Sequence, residues 1–340
     1  MTAAGVQFFW LENLISFAGC SIDTANRMAS KIATATAAAM RKLFRIQYVS
    51  DIHLEFYDKV PFPLLVKPNA RYLALAGDIG QPSHTNYNAF FQYASSNWDK
   101  VFYVPGNHEY YNKKPSSKWK WSKPQTMEER DADIREVVAQ YSNVHLLTPG
   151  SPSVHLSSEN VAIVGSTLWS HIPTELHGDI RHKMNDYTYI AKDGGVPIEE
   201  KDVNSLHKQH YEALMTAINY WAFQKVPVCV ITHHMPSFRL VSPKYADNPV
   251  NVAFASNCEG LMLPHVKSWI YGHTHAASSS LLRGVFTTCN SRGYPNESVP
   301  GFNPMAYTEF DTTQSIESEV ADKPLQEMAK SGAMDDVEFM

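Results

Sequence analysis

Five short segments of this 340-residue chain carry the residue types that bind metals and move protons. They are Ser50-Asp51-Ile52-His53, Gly77-Asp78, Gly106-Asn107-His108-Glu109, His233-His234 and Gly272-His273-Thr274-His275. Asp51 and His53, like His273 and His275, stand two apart. In extended backbone each such pair projects to one side and can reach one point. Imidazole is the commonest protein ligand for metals, and a carboxylate can be shared by two cations while reducing their repulsion. Glycine before Asp78, Asn107 and His273 lets the main chain approach whatever is bound. Taken singly, each segment reads equally as a solvated turn or a helix cap. Five in succession point to a metal centre.

Each segment follows a short apolar run. Phe44 to Val49, Tyr72 to Ala76 and Val101 to Val104 read as strands, with a helix from His84 to Trp98 between the last two. That order predicts parallel strands with crossovers. Further strands are expected at Val144 to Leu147, Val161 to Thr167, Val226 to Thr232, Ser268 to Tyr271 and Leu281 to Thr288. Met127, Ile134, Val137 and Tyr141 recur at helical spacing, and so do Val203, His207, Tyr211, Leu214, Ile218 and Trp221. The candidate ligands thus sit at the carboxyl ends of strands, where open α/β sheets place their sites.

No linker composition divides residues 44–310, so one large domain is expected there, an α/β fold of two packed mixed sheets flanked by helices. Residues 1–43 are rich in Ala, Ser and Thr, with more basic than acidic side chains. They read as a terminal extension, either an organelle transit segment or a plain helical or disordered arm. Residues 311–340 turn acidic and lose periodicity, which reads as a disordered tail. A cytoplasmic location is expected, or an organellar one if residues 1–43 are a transit segment.

Composition narrows the function classes. A net charge of −5 gives no global basic field, so non-specific nucleic-acid binding is not favoured. Four scattered cysteines (Cys20, Cys229, Cys258, Cys289) form no C-x-x-C pair, which argues against a zinc ribbon or a disulfide scaffold. No apolar run is long enough to span a membrane. One local exception is the segment after the third motif, which carries Lys113, Lys114, Lys118, Lys120 and Lys123 around Trp119 and Trp121. It could grip a polyanion by charge and stacking, or be a solvated loop. His207 and His210 lie three apart on the long helix and read as a packed or surface pair.

In this order, D-x-H, G-D, G-N-H-E, H and G-H-x-H resemble the calcineurin-like metallophosphoesterase superfamily, over about residues 44–310. The resemblance implies a four-layer αββα sandwich and two metal ions, with Mn²⁺, Fe or Zn²⁺ expected. It implies that Asp51, His53 and His275 bind one metal, that Asn107, His233 and His273 bind the other, and that Asp78 bridges them. A bridging hydroxide would attack phosphorus. His108 would protonate the leaving group, with Glu109 orienting or stabilising its imidazolium.

Within the superfamily, the arginines that protein phosphatases carry beside G-D and before G-N-H-E are missing here. The segments SDIHLEF, PGNHEYY, GSTLW, MNDY, THHMPS, FAS and NSRGYPNE are similar to those of small microbial-type phosphohydrolases. They make His234, Asn185, Asp186 and Arg292 candidates for substrate contact. The expected activity is a phosphodiesterase acting on a small molecule or nucleotide. The alternatives are a phosphomonoesterase or protein phosphatase-like enzyme, and a catalytically silent scaffold of the same fold.

Overall fold

A computed structural model describes residues 42–112 and 124–313, with Arg27 standing alone. Nearly all of the 1–43 extension, the lysine–tryptophan segment 113–123 and all but the start of the 311–340 tail lie outside the described residues.

The strands run in chain order as β1 (Leu43–Val49), β2 (Tyr72–Ala76), β3 (Lys100–Val104), β4 (Val144–Leu146), β5 (Ser153–Leu156), β6 (Val161–Ser166), β7 (Ala191–Lys192), β8 (Val196–Pro197), β9 (Val228–Thr232), β10 (Val266–Tyr271), β11 (Ala277–Leu282), β12 (Val285–Asn290) and β13 (Tyr307–Asp311). The helices are α1 (Thr85–Asn97), α2 (Met127–Val138), the short α3 (Asp179–Lys183) and α4 (Asp186–Tyr189), and α5 (Glu200–Phe223). One sheet has the order β13-β1-β2-β3-β4, and a second has β11-β12-β10-β9-β6-β5. β1, β2, β3 and β4 pair in parallel, as do β6, β9, β10 and β12. β7 and β8 form a separate antiparallel ribbon.

Burial on both faces explains why these strands lack alternation. Along β2, Tyr72, Ala74 and Ala76 pack inward with Ile163, Cys229, Ile231 and Ile270 of the second sheet. Leu73 and Leu75 face the other way, onto Tyr87, Phe90, Phe91 and Ala94 of α1 and Ile134 and Val138 of α2. On the far side, Val164, Val228, Val230 and Trp269 meet Leu214, Ala217 and Ile218 of α5. Helix, sheet, sheet and helix therefore stack around three cores, because a strand covered on both faces reads as a continuous apolar run. Phe44–Phe310 form one unit, and a small second unit holds Lys42, Leu43 and Asp311–Thr313 among the described residues.

The sequence reading needs correcting at the edges. Leu281 to Thr288 is not one strand but the centre of the β11–β12 hairpin, turned at Arg283-Gly284 with φ of 49° and 81°. Two successive positive φ values match the right-handed twist of a hairpin, and glycine adopts one at little cost. β5 and β13 are edge strands whose half-exposed residues give no apolar run.

The loop that follows β6 is tied to α5 by one carboxylate. The buried Glu200 side chain accepts from the Gly178 N–H (2.7 Å) and from Arg181 Nε (3.1 Å). Burial would raise this carboxyl, but the Arg181 guanidinium and the Gly178 N–H outweigh it and hold it at about 2. Its folded pKa therefore lies below its ordinary 4.5. The stabilisation is complete above pH 4.5 and disappears as pH falls toward 2. Glu200→Gln should lower unfolding free energy by about 1.5–3 kcal/mol at pH 7, since a buried charge-assisted bond is weakened. In urea titrations the gap to the parent should close as pH falls from 4.5 toward 2; a gap constant across that range would refute the assignment.

Candidate metal centre

Strands of both sheets end at one place. Ser50 after β1 pairs with Ser291 after β12, and Gly272 N–H, after β10, donates to the His233 carbonyl (2.9 Å). β1 delivers Asp51 and His53, β2 delivers Asp78, and β3 delivers Asn107 and His108. The second sheet delivers His233 from β9 and His273 and His275 from β10. Two glycines are required by crowding. A Cβ on Gly106 would stand 2.2 Å from Asp78 Oδ1, and one on Gly272 would stand 2.6 Å from the Ala76 carbonyl.

Asp51, His53, Asp78, His273 and His275 all adopt left-handed backbone, with φ between 45° and 68°. Such conformations cost about 1–3 kcal/mol each in non-glycine residues and persist where surrounding bonds over-determine them. Here the Asp51 N–H donates to the Gly77 carbonyl, and the His53 N–H donates to the Asp78 carbonyl (both 3.0 Å). The Asp51 carboxylate takes the His273 N–H (3.0 Å) and the hydroxyls of Ser50 (2.5 Å) and Ser291 (2.6 Å). Asp78 Oδ1 takes the His108 N–H (2.8 Å).

The candidate ligand atoms gather as Asp51–His53–His275 and Asp78–His233–His273, and a third cluster, His53–Glu55–His108, adjoins the first. His233 Nδ1 donates to the Ala76 carbonyl (2.8 Å), so Nε2 offers only its lone pair. That lone pair faces Asn107 Oδ1 (3.0 Å) and Asp78 Oδ1 (3.4 Å). Asn107 cannot answer with its amide protons, because Nδ2 is engaged by Asp186 Oδ1 (2.8 Å) and the Tyr111 hydroxyl (3.1 Å). In the other group, His53 Nδ1 donates to Glu55 (3.3 Å) and His275 Nδ1 to Glu297 (2.5 Å). Their Nε2 atoms meet at 3.0 Å, again lone pair against lone pair. His273 Nε2 is buried without a hydrogen-bond partner among the described residues. Asp78 lies between the groups, its Oδ2 3.9 Å from His53 Nε2. Acceptors that converge without protons fit cations placed among them.

Electrostatics agree. Burial pushes His53 and His233 down to about 4 and His234 and His273 well below their ordinary value, so these imidazoles are neutral at pH 7. Burial, with the negative Glu109 and Asp51 nearby, drives the Asp78 carboxyl well above its usual range. A neighbouring cation would reverse that shift.

His108 stands beside both groups. Its ring stacks on Tyr111 at 4.2 Å, its Nδ1 meets Glu55 Oε1 at 3.0 Å and its Nε2 meets the Tyr294 hydroxyl at 3.3 Å. The expectation that Glu109 orients this ring is corrected. Glu109 accepts from the N–H groups of Asp78 (3.1 Å), Ile79 (2.7 Å), Gly80 (3.4 Å) and Gly106 (2.7 Å), which locks the second motif to the third. Its burial raises the carboxyl to about 7 despite those donors.

The candidate substrate contacts divide. Asp186 is buried and fixes Asn107, whereas Asn185 is exposed and serves α4 through its carbonyl, which takes the N–H groups of Thr188 and Tyr189. His234 packs behind His273 at 4.3 Å between ring centroids, with its Nδ1 at 3.3 Å from the Thr167 carbonyl. Arg292 donates to the carbonyls of Tyr294 (3.4 Å) and Glu297 (3.2 Å) and braces the loop that carries both. His207 and His210 are packed, holding Leu168 by its carbonyl and its N–H. Sequence reasoning missed Glu55, Tyr111, Tyr294 and Glu297, although each lies within or next to a quoted motif. Ordinary polar or aromatic residues beside a motif carry no spacing signal of their own.

Comparison with known proteins follows the same lines. Residues 44–277 match the calcineurin-like phosphoesterase family. A protein of Acanthamoeba polyphaga mimivirus described as uncharacterized is 30% identical over 283 residues, covering 78% of this chain and 96% of that one. The crystal structure of phosphopantetheinyl hydrolase from Mycobacterium tuberculosis superposes with a TM-score of 0.56 at 17% identity, covering 74% of this chain and 89% of that one. Among the described residues, no helix is long and apolar enough to cross a membrane. With strand-end motifs, converging acceptors and a family match over most of its length, the chain belongs to the calcineurin-like phosphoesterases and is a metal-dependent phosphoric ester hydrolase.

Proposed function

We propose that the chain hydrolyses phosphodiesters of small molecules or nucleotides at a two-metal centre, with His108 as general acid. The observation that carries this reading is the two acceptor groups side by side, Asp78 of one group lying 3.9 Å from His53 of the other, with the His108 ring at 4.4 Å from that of His53. Asp51, His53 and His275 hold one cation, Asn107, His233 and His273 hold the other, and Asp78 serves both. When bound, two such cations polarise phosphoryl oxygens and acidify water. Mn²⁺, Fe or Zn²⁺ suits the mixed nitrogen and oxygen donors.

The chain's own residues do the rest. Glu297 and Glu55 hold His275 and His53 with Nε2 toward the centre, and the Ala76 carbonyl does so for His233. Asp186 turns the Asn107 carbonyl oxygen inward. As an imidazolium, with its Nδ1 proton held by Glu55, His108 would pass its Nε2 proton to the leaving oxygen and be left neutral with the proton on Nδ1. What favours a diester is the uncharged aromatic wall there. Tyr294 stands 4.5 Å from His53 and 4.7 Å from His275, and Phe56 stands 5.3 Å from Tyr294. Such a wall accommodates an organic substituent better than the second charge of a monoester dianion.

Asp78→Asn should cost the protein both cations, because it removes the one anion shared by the two groups. Metal analysis of the purified variant checks this, and retention of two ions per chain with normal turnover would sink the shared role.

The reaction class is tested by turnover of matched aryl and alkyl diesters and monoesters in metal-supplemented protein, where diesters should be preferred. His108→Ala should lose about 10²- to 10⁴-fold on an alkyl diester, whose alkoxide must be protonated as it leaves. A nitrophenyl diester should suffer far less, since nitrophenolate departs unaided. Equal losses on both, or loss of metal, would remove His108 from the acid role.

A further inference from the structure

Glu55 lies within SDIHLEF, and one of its oxygens faces two imidazoles at once. The left-handed turn at His53 (φ 48°) starts a short 3₁₀ turn, Leu54–Phe56, that brings the Glu55 side chain back beneath the rings. There one oxygen, Oε1, lies 3.0 Å from His108 Nδ1 and 3.3 Å from His53 Nδ1. A carboxylate oxygen only accepts, so both imidazoles must donate to it through Nδ1. Each ring is thereby set with Nε2 outward. His53 Nε2 points at His275, and His108 Nε2 points at the Tyr294 hydroxyl.

The second oxygen carries an independent signal. Glu55 Oε2 is buried and has no hydrogen-bond partner among the described residues. A buried carboxylate oxygen left unsatisfied is unfavourable, and folding alone would be served better by an apolar side chain of the same size. Glu109, which follows His108 in sequence, cannot substitute, because both of its oxygens are spent on four backbone N–H groups.

We propose that Glu55 is the positioning residue for proton donation by His108, and that it ties the aim of that ring to the aim of the ligand His53 through one shared oxygen. The inference rests on the general-acid reading of His108. In metal-loaded protein, Glu55→Ala should lower kcat on an alkyl diester by about tenfold or more, within the range of general acid catalysis, with little change in KM. A nitrophenyl diester, which needs no acid, should lose distinctly less, only the part that passes through His53. Glu55→Gln keeps an acceptor at the same place and should restore much of the loss. On the alkyl diester, Glu55→Ala should cost much less in the His108→Ala background than in the parent, because groups acting as one unit do not add. Nitrogen-15 shifts of the His108 ring in metal-free protein supply a readout apart from turnover. The parent should show protonation at Nδ1, and Glu55→Ala should show a mixture of tautomers.

The single variant His108→Ala decides the acid reading by its leaving-group dependence. If that dependence holds while Glu55→Ala harms both substrates equally, adds fully to His108→Ala or leaves the tautomer unchanged, the role of Glu55 is refuted and the acid reading stands. If His108→Ala harms both substrates equally, both fall together.

Discussion

Lone pairs that meet head-on are the constraint around which this chain is arranged. The Nε2 atoms of His53 and His275, and His233 Nε2 with Asn107 Oδ1, approach to 3.0 Å with no proton between them. Nothing in such contacts is attractive by itself. They persist because each group's protons are committed elsewhere: to Glu55, to Glu297, to the Ala76 carbonyl and to Asp186. The outer ring of hydrogen bonds is therefore the part of the site that the protein builds, and it keeps the inner ring electron-rich. A histidine bound this way has its tautomer and ring plane chosen before any cation arrives.

Backbone geometry is subordinate to that arrangement. Left-handed residues cluster at aspartate and histidine, which adopt that conformation more readily than most non-glycine residues, and glycine stands just before two of them, Asp78 and His273. The division has a steric cause. Gly77, Gly106 and Gly272 lie where a Cβ would strike His233, Asp78 or the Ala76 carbonyl, so no larger residue fits. The ligands must keep their side chains, and the left-handed turn is what swings those side chains from the strand axis into the cleft. The strained turns are held from both sides by two sheets whose facing cores are apolar and continuous. A site that stores strain needs rigid packing beneath it.

Much of this was legible in the residues. The fold class follows from fully buried strands that read as unbroken apolar runs, and the candidate ligands follow from acid, amide and imidazole at their carboxyl ends. The order of motifs then gave the resemblance its specificity. What escaped was whatever depends on approach through space. Glu109 follows His108 directly, yet the 3₁₀ turn at His108–Tyr110 sends its side chain back onto the Gly77–Gly80 loop. Glu55 is fifty-three positions away and reaches His108 because the turn at His53 reverses the chain. The β11–β12 hairpin was read as one strand because Arg283-Gly284 is a weak turn signal between two apolar pairs. β5 and β13 escaped because edge strands with mixed exposure lack periodicity.

Environment, not residue type, sorts the acids around this centre. Burial alone would push every one of them toward the protonated form. For Asp51, the imidazoles of His233, His275 and His53 and the Ser291 hydroxyl overcome burial and hold its carboxyl below the usual value. For Glu55, the hydrogen bonds to His108 and His53 overcome it and bring the group to about 2. Asp186 stays above its ordinary value, because the Tyr111 and Asn107 donors do not fully offset burial. Asp78 and Glu109 are driven up by burial and by other carboxylates. The charges that persist without help are therefore those aimed at imidazoles. Asp78, set between the two acceptor groups and short of protein donors, is the carboxylate whose ionisation most needs neighbouring cations.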